Sequence, residues 1–362
     1  MKSHTREFEP LARPASAWDN AVIYQIYPRS FLEIRGEGEK PSGQGSLLGI
    51  TERLDYLKSL QVDAIWLSPF FPSPLKDGGY DVSDYESVDP RYGDLADFRE
   101  LVRCAGERGI KVMVDYVLNH TSDEHAWFQE SRSNRDNPKA DWYIWADPAE
   151  DDGPPNNWAS VFSLENLKKR QAGQLDLPKG EPTPYNSAWA FDAVRKQYYL
   201  HSFGSFQPDL NWSNPEVRAA MKDVLRFWLD LGVDGFRVDA VNYIGKDMSL
   251  RDESASSNYQ EGEDNPYERL EQYHSSNYPA ALYDYLKELT AVLHEPKYIS
   301  RDSRLVFEAY AGDDIINMLN AIDSDHASAF NFVRLDAKWD ARTQEGLIDS
   351  YYRHLPADAV PN

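Results

Sequence analysis

Short runs of β-branched and aromatic residues recur along the chain, and most are followed by a segment whose apolar positions repeat every three to four residues. The first run is Val22-Ile23-Tyr24-Gln25-Ile26-Tyr27, the second Ala64-Ile65-Trp66-Leu67 and the third Val112-Met113-Val114-Asp115-Tyr116-Val117. The pattern returns at Gly235-Phe236-Arg237-Val238, at Arg304-Leu305-Val306-Phe307 and at Phe330-Asn331-Phe332-Val333. Runs this short and this rich in β formers predict buried strands. Helices are expected around 50–60, over 95–109, and from Asn214-Pro215-Glu216 through Leu229, where Asn before Pro makes a good helix start. Strands separated by helices imply a parallel sheet, and right-handed crossovers curl such a sheet toward a barrel. The expected fold is α/β, a TIM-type (β/α)8 barrel of which about six βα units are present.

The spacing breaks after the third strand. Residues 119–207 are rich in Pro, Asn, Asp and Trp and carry no long helical periodicity. They are expected to form a subdomain inserted at the C-terminal ends of the strands, with 164–186, rich in Lys, Gln and Pro, as a surface excursion. The organisation expected is barrel over 1–118, inserted subdomain over 119–207 and barrel again over 208–362.

Composition narrows the function classes. The net charge is −22, from 60 acidic against 38 basic residues, so nucleic acids and anionic membrane surfaces are not expected partners. Cys104 is the single cysteine, which excludes an internal disulfide and a cysteine metal cluster. Neither a signal-like apolar core in the first 18 residues nor a membrane-length apolar run occurs, and the expected location is cytoplasmic. Ten Trp, 22 Tyr and 15 Phe stand among many Asp, Asn and His. Sugars present apolar faces and polar edges, so a sugar site wants this mixture, although most aromatics in any chain simply build core.

Parallel barrels put their chemistry at the C-terminal strand ends. Those positions hold Asp115, Asn119 and His120 after the third strand, Arg237 and Asp239 on the fourth, and Glu308 after the fifth. Asp239 and Glu308 would top adjacent strands, ~4.7–4.9 Å apart. Retaining glycosidases need carboxyl groups ~5–5.5 Å apart, whereas inverting ones need ~6.5–9.5 Å. Arg237 lies two residues before Asp239 and so points the same way along the strand, where its charge should keep Asp239 ionised. Glu308 should be held protonated by its surroundings. Either acid alone reads equally well as a solvated rim carboxylate; the combination with Arg237 and His120 favours chemistry.

Asp115-Tyr-Val-Leu-Asn119-His120, Gly235-Phe-Arg237-Val-Asp239-Ala240 and Glu308-Ala-Tyr resemble, in order and spacing, successive signature regions of the α-amylase superfamily of glycoside hydrolases. Gln207-Pro-Asp-Leu-Asn211, Ile26-Tyr-Pro-Arg-Ser-Phe31 and Asp77-Gly-Gly-Tyr80-Asp81 are similar to markers of its oligo-1,6-glucosidase and α-glucosidase branch. The resemblance implies a retaining α-glucosidase for short α-glucosides, with Asp239 as nucleophile and Glu308 as acid/base. It implies that Asp77, Tyr80, His120 and Arg237 hold the non-reducing glucose, and that Phe162 and Phe203 line the neighbouring subsite. Ala240, just after the nucleophile, would favour α-1,4 or sucrose-like substrates over α-1,6.

Two departures from the family pattern stand out. A family metal loop matches 33–46 here, but Arg35 replaces a neutral oxygen ligand, so no cofactor is required and a Ca or Mg ion there is not expected. The family's Asn-His-Asp segment of strand seven would begin near Ala359-Val-Pro-Asn362, so the chain is expected to be truncated and its full activity to need residues beyond 362. The competing readings are a sucrose isomerase or trehalose synthase-like transferase, and an inactive sugar-binding barrel. Oligomeric state is not readable.

Overall fold

The computed structural model describes residues 16–35, 38, 42–163, 186–260, 265–332 and 337–355. Six strands, β1 (Ile23–Ile26), β2 (Ala64–Leu67), β3 (Lys111–Val117), β7 (Gly235–Asp239), β8 (Arg304–Phe307) and β9 (Ala327–Ala329), form one parallel sheet in that order. Strands β4 (Trp145–Ala146), β5 (Trp189–Asp192) and β6 (Gln197–Leu200) make a separate antiparallel sheet between β3 and β7. The main sheet is nearly continuous apolar sequence, as expected when helices cover one face and a filled interior the other.

The crossover helices follow from their caps and stripes. Asp94 closes a capping box on helix Leu95–Glu107, which buries Phe98, Leu101 and Ala105. Asn214 accepts from the Glu216 amide at the start of helix Pro215–Asp230, with Pro at its first turn. The two helices meet over the sheet, where the Trp228 ring lies 4.9 Å from Phe98, edge to face. At the N-terminal end of the barrel Trp18 packs with Ala64, Met113 and Val306, and its Nε1 donates to the Asp302 carbonyl at 2.6 Å. Gly235 faces this ring: a Cβ there would lie 3.1 Å from Trp18 and 2.9 Å from the Arg304 carbonyl, so the plug requires glycine.

Five strands lie where the hydrophobic pattern puts them, and the sixth does not. The aromatic alternation of Phe330 and Phe332 pointed to a strand over 330–333, but β9 is Ala327–Ala329. Helix Asp313–Ala321 packs on this strand, and Asn320 Oδ1 accepts from the Ala329 amide at 2.9 Å, so buried small residues are what the space admits. Phe330 and Phe332 instead stack on each other, 5.5 Å apart. Val333 and nearly all of the expected 164–186 excursion lie outside the described residues.

The insertion carries more regular structure than its composition suggested: helix Ala126–Ser133 besides the three-stranded sheet. The bridge His120↔Asp209 fastens the two ends of the insertion to each other at the top of β3, and Tyr143↔Leu210 ties its middle to the returning end. Among the described residues, no helix is long and apolar enough to cross a membrane.

Candidate active site

Strand register sets the site. Asp115 on β3 pairs with Arg237 on β7, and Val238 pairs with Phe307 on β8, so Asp239 and Glu308 emerge side by side at the strand tops. The Glu308 amide continues the ladder by donating to the Val238 carbonyl at 2.9 Å. All three carboxylates converge on one guanidinium. Arg237 Nη1 donates to Asp115 Oδ1 at 2.6 Å and to Asp239 Oδ1 at 2.5 Å, while Nη2 stands 2.7 Å from Glu308 Oε2. The planar cation lies against two rings, with centroids of Trp66 at 5.2 Å and Tyr80 at 5.5 Å. Trp66 Nε1 also donates to Asp115 Oδ2 at 2.9 Å, holding the carboxylate beneath.

One positive charge cannot satisfy three buried acids, and their proton affinities show it. Burial pushes the Glu308 carboxyl up to about 7, the Asp239 charge adds to the rise, and Arg237 only partly offsets it. Burial likewise pushes Asp239 up to about 6, against the downward pull of Arg237 and with a further upward push from Asp115. Arg237 favours the ionised form of Asp239, as expected, but the guanidinium restrains the rise from burial rather than reversing it. The two carboxyls also act on each other, lowering Asp239 and raising Glu308. Burial opposes the charge on Arg237, yet Asp115, Asp239 and Glu308 together hold it above its ordinary range.

A pocket of about 540 Å³ opens over these groups, and Asp77, Tyr80, His120, Phe162, Phe203, Arg237, Asp239 and Glu308, the eight residues singled out above, all line it. Asp77 and His120 are tied together by Gln207, whose Nε2 reaches Asp77 Oδ2 at 2.8 Å and His120 Nε2 at 3.1 Å. Burial lowers the proton affinity of His120, which favours the neutral ring. Phe203 is the aromatic hinge of the wall, 5.1 Å from His120, 6.0 Å from Phe162 and 4.9 Å from Tyr243.

Sequence reasoning missed Val161, Tyr243, Asn265, Tyr267, Glu268 and Tyr310, which complete the lining together with Ala240. Tyr243 and Tyr310 each follow a catalytic-strand end by a few residues, a placement that could have flagged them. Asn265 to Glu268 sit in a polar stretch with no periodicity to read. Also missed was the cluster beneath the pocket: Lys246 Nζ reaches Asp209 Oδ2 and Asn119 Oδ1, each at 2.9 Å, and the Tyr243 carbonyl.

In the 33–46 loop, residues 36, 37 and 39–41 lie outside the described residues. Where it is described, Arg35 pairs with Glu33 at 3.3 Å, and the amides of Ser42 and Gly43 donate to the same carboxylate. Among the described residues, Glu33 thus accepts from nitrogen donors.

With this geometry in place, the chain's relatives can be compared. The family model for the alpha amylase catalytic domain matches residues 25–352, and the chain belongs to that family. It is 42% identical over 353 residues to a probable alpha-glucosidase of Rhizobium meliloti, covering 94% of this chain and 57% of that protein. It is 46% identical over 235 residues to the oligo-1,6-glucosidase of Heyndrickxia coagulans, covering 65% and 38% respectively. A solved alpha-glucosyl transfer enzyme superposes with TM-score 0.80 at 41% identity, covering 95% of this chain and 59% of the other. The chain thus spans little more than half the length of relatives it matches almost end to end.

Proposed function

We propose that this protein is a retaining α-glucosidase acting on short α-glucosides, with α-1,4 or sucrose-like bonds favoured and with transfer to acceptor hydroxyls as a second outcome. The observation that carries this reading is the Asp239–Glu308 pair, side by side at neighbouring strand tops on one pocket floor and bridged by Arg237. A retaining pair stands ~5–5.5 Å apart, a spacing that neighbouring strand ends sharing one guanidinium support. The order of their proton affinities supports the roles: Asp239, the lower, attacks the anomeric carbon, and Glu308, the higher, protonates the departing oxygen. In the second step Glu308 takes a proton from water or an acceptor as that oxygen displaces Asp239, restoring the starting configuration.

Asp77, Tyr80, His120 and Arg237 surround the glucosyl unit, while Phe162 and Phe203 flank the leaving group. The similarity to an alpha-glucosyl transfer enzyme supports the transfer arm. The reaction as written needs no metal, and the substrate is a small oligosaccharide or glucoside. A single free cysteine accords with a cytoplasmic setting.

The test is an activated aryl α-glucoside offered to the 362-residue chain at high protein concentration, where slow turnover suffices, with the anomeric configuration of the product followed by NMR. Release of α-glucose, and covalent labelling of Asp239 by a fluorinated glucoside, are expected. β-Glucose as first product, or labelling elsewhere, would refute the assignment. Product analysis on sucrose and maltose separates hydrolysis, transfer and isomerisation.

A further inference from the structure

Ala240, directly after Asp239, has φ 44° and ψ 43°, the left-handed region that side chains other than glycine seldom enter. The turn has a visible consequence. It directs the Ala240 amide at Glu308 Oε2, 3.0 Å away, and the next amide, Val241, donates to the Glu308 carbonyl at 2.8 Å. Two successive amides thus grip the side chain and main chain of one residue. Oε2 already faces Arg237 Nη2 at 2.7 Å, so this oxygen has two donors. An oxygen with two incoming donors is poorly suited to carry a proton of its own.

We propose that the Ala240 main-chain amide is a positioning donor that keeps Oε2 of Glu308 anionic in character, confines the exchangeable proton to Oε1, and favours the base form required in the second half of the reaction. The inference rests on the double-displacement reading above. In the first half, the Oε1 proton passes to the glycosidic oxygen as the bond from that oxygen to the anomeric carbon breaks and the bond to Asp239 forms. Glu308 is then a carboxylate whose developing charge meets an amide already in place, with no reorganisation. In the second half, Oε1 removes the proton of water or an acceptor hydroxyl as that oxygen bonds to the anomeric carbon and the ester to Asp239 breaks. The strained backbone at Ala240 is thereby given a use.

Other groups also act on Glu308: Arg237 and Asp239 on its own flank of the barrel, Asp115 on β3, Tyr80 after β2, and Tyr243 in the turn after β7. Each is unchanged if only the amide is removed. The experiment is therefore an amide-to-ester exchange in the full chain, with lactic acid in place of Ala240, and Ala240→Gly as the control that retains the amide and tolerates positive φ. Carbon-13 in the glutamate side-chain carboxyls, with Glu308 assigned by its absence in Glu308→Gln, reports the titration by NMR whether or not the chain turns over. The expected result is an upward shift of about one unit in the Glu308 midpoint for the ester, the size of a lost charge-assisted hydrogen bond, with glycine near wild type. An unshifted midpoint in the ester overturns the proposal. With an activated aryl glucoside, the ester should also slow the second half roughly 10-fold and show a burst of phenol, in line with that shift. A shifted midpoint with no labelling of Asp239 in the wild-type chain would defeat the glucosidase reading while leaving the role of the amide standing.

Discussion

Two buried cations lie near the ends of the central strands, and their surroundings differ in one respect. Lys246, 3% exposed at its side chain, meets one carboxylate and two neutral oxygens, from Asp209, Asn119 and Tyr243. Its three ammonium hydrogens are used, and Asp209 is completed by Asn119 Nδ2 and by the amide and hydroxyl of Ser202. Arg237, 7% exposed, meets three carboxylates. The first cluster is balanced in charge and in hydrogen bonds. In the second, acids outnumber the cation, so protons must be shared among Asp115, Asp239 and Glu308, and burial raises the affinity of each. Balance of this kind holds a structure together, whereas a held-in imbalance stores reactive protonation states.

Removing an acid from the unbalanced cluster should therefore cost activity and leave the fold intact. Glu308→Gln is expected to lower turnover of an unactivated α-glucoside by about 10⁴-fold or more, in the range seen when one member of a cooperating catalytic set is lost. Its thermal midpoint should equal or exceed that of the wild type, because a raised, crowded carboxyl is replaced by a neutral group. Near-normal turnover would remove Glu308 from the mechanism.

Lys246→Met should behave in the opposite way. It strands the fully buried Asp209 carboxylate, and breaking such a pair destabilises by roughly 3–5 kcal/mol. Denaturant unfolding reads this directly, and Lys246→Met combined with Asp209→Asn should recover part of the loss. If the single variant unfolds at the wild-type denaturant concentration, the balanced cluster is not a structural clamp.

The imbalance also has a pH signature. Asp239 and Glu308 bind protons more tightly folded than unfolded, so their contribution to stability is fully present below their ordinary values near 4. It fades as pH rises through about 6 to 7, a loss on the order of a few kcal/mol. Urea midpoints measured from pH 4 to 8 should show this fall in the wild type and a shallower one in Glu308→Gln. Parallel curves would mean that the proton sharing is not energetically significant. Catalysis should fail on the alkaline side as Glu308 loses its proton.

How much of this was legible beforehand divides along the same line. Strands β2, β3, β7 and β8 announce themselves because each is a short run buried on both faces, and β1, though largely exposed, by its β-branched and aromatic residues. Asp239, Glu308 and Arg237 follow from strand-end position and two-residue spacing, which are local facts. The sixth strand was misplaced because Phe330 and Phe332 alternate like a strand, while Ala327-Ser328-Ala329 owes its place to the helix packed on it. Lys246 and Asp209 are 37 residues apart in sequence and meet only through the return of the insertion. Nothing in the local pattern of either shows the partner. The direction of the Asp239 shift was likewise out of reach, since it depends on the depth of burial as well as on neighbours.

The pocket mouth offers the mildest test, because its residues are neither balanced clamps nor reactive acids. Asn265 Nδ2 donates to the Val161 carbonyl at 3.2 Å, joining the polar loop after β7 to the insertion beside Phe162. A single neutral hydrogen bond at a partly open site contributes ~0.5–1.5 kcal/mol, equivalent to about 2–10-fold. On the proposed reading, Asn265→Ala should accordingly raise KM for maltose by that factor, since Asn265 lines the pocket beside Phe162, assigned to the leaving group. It should change kcat little, because the proton-sharing groups lie deeper. An aryl glucoside that does not extend to the loop should show a smaller change. If kcat falls instead, and by the same factor for both substrates, the loop acts on the floor of the pocket, and the separation drawn between its mouth and its reactive centre does not hold.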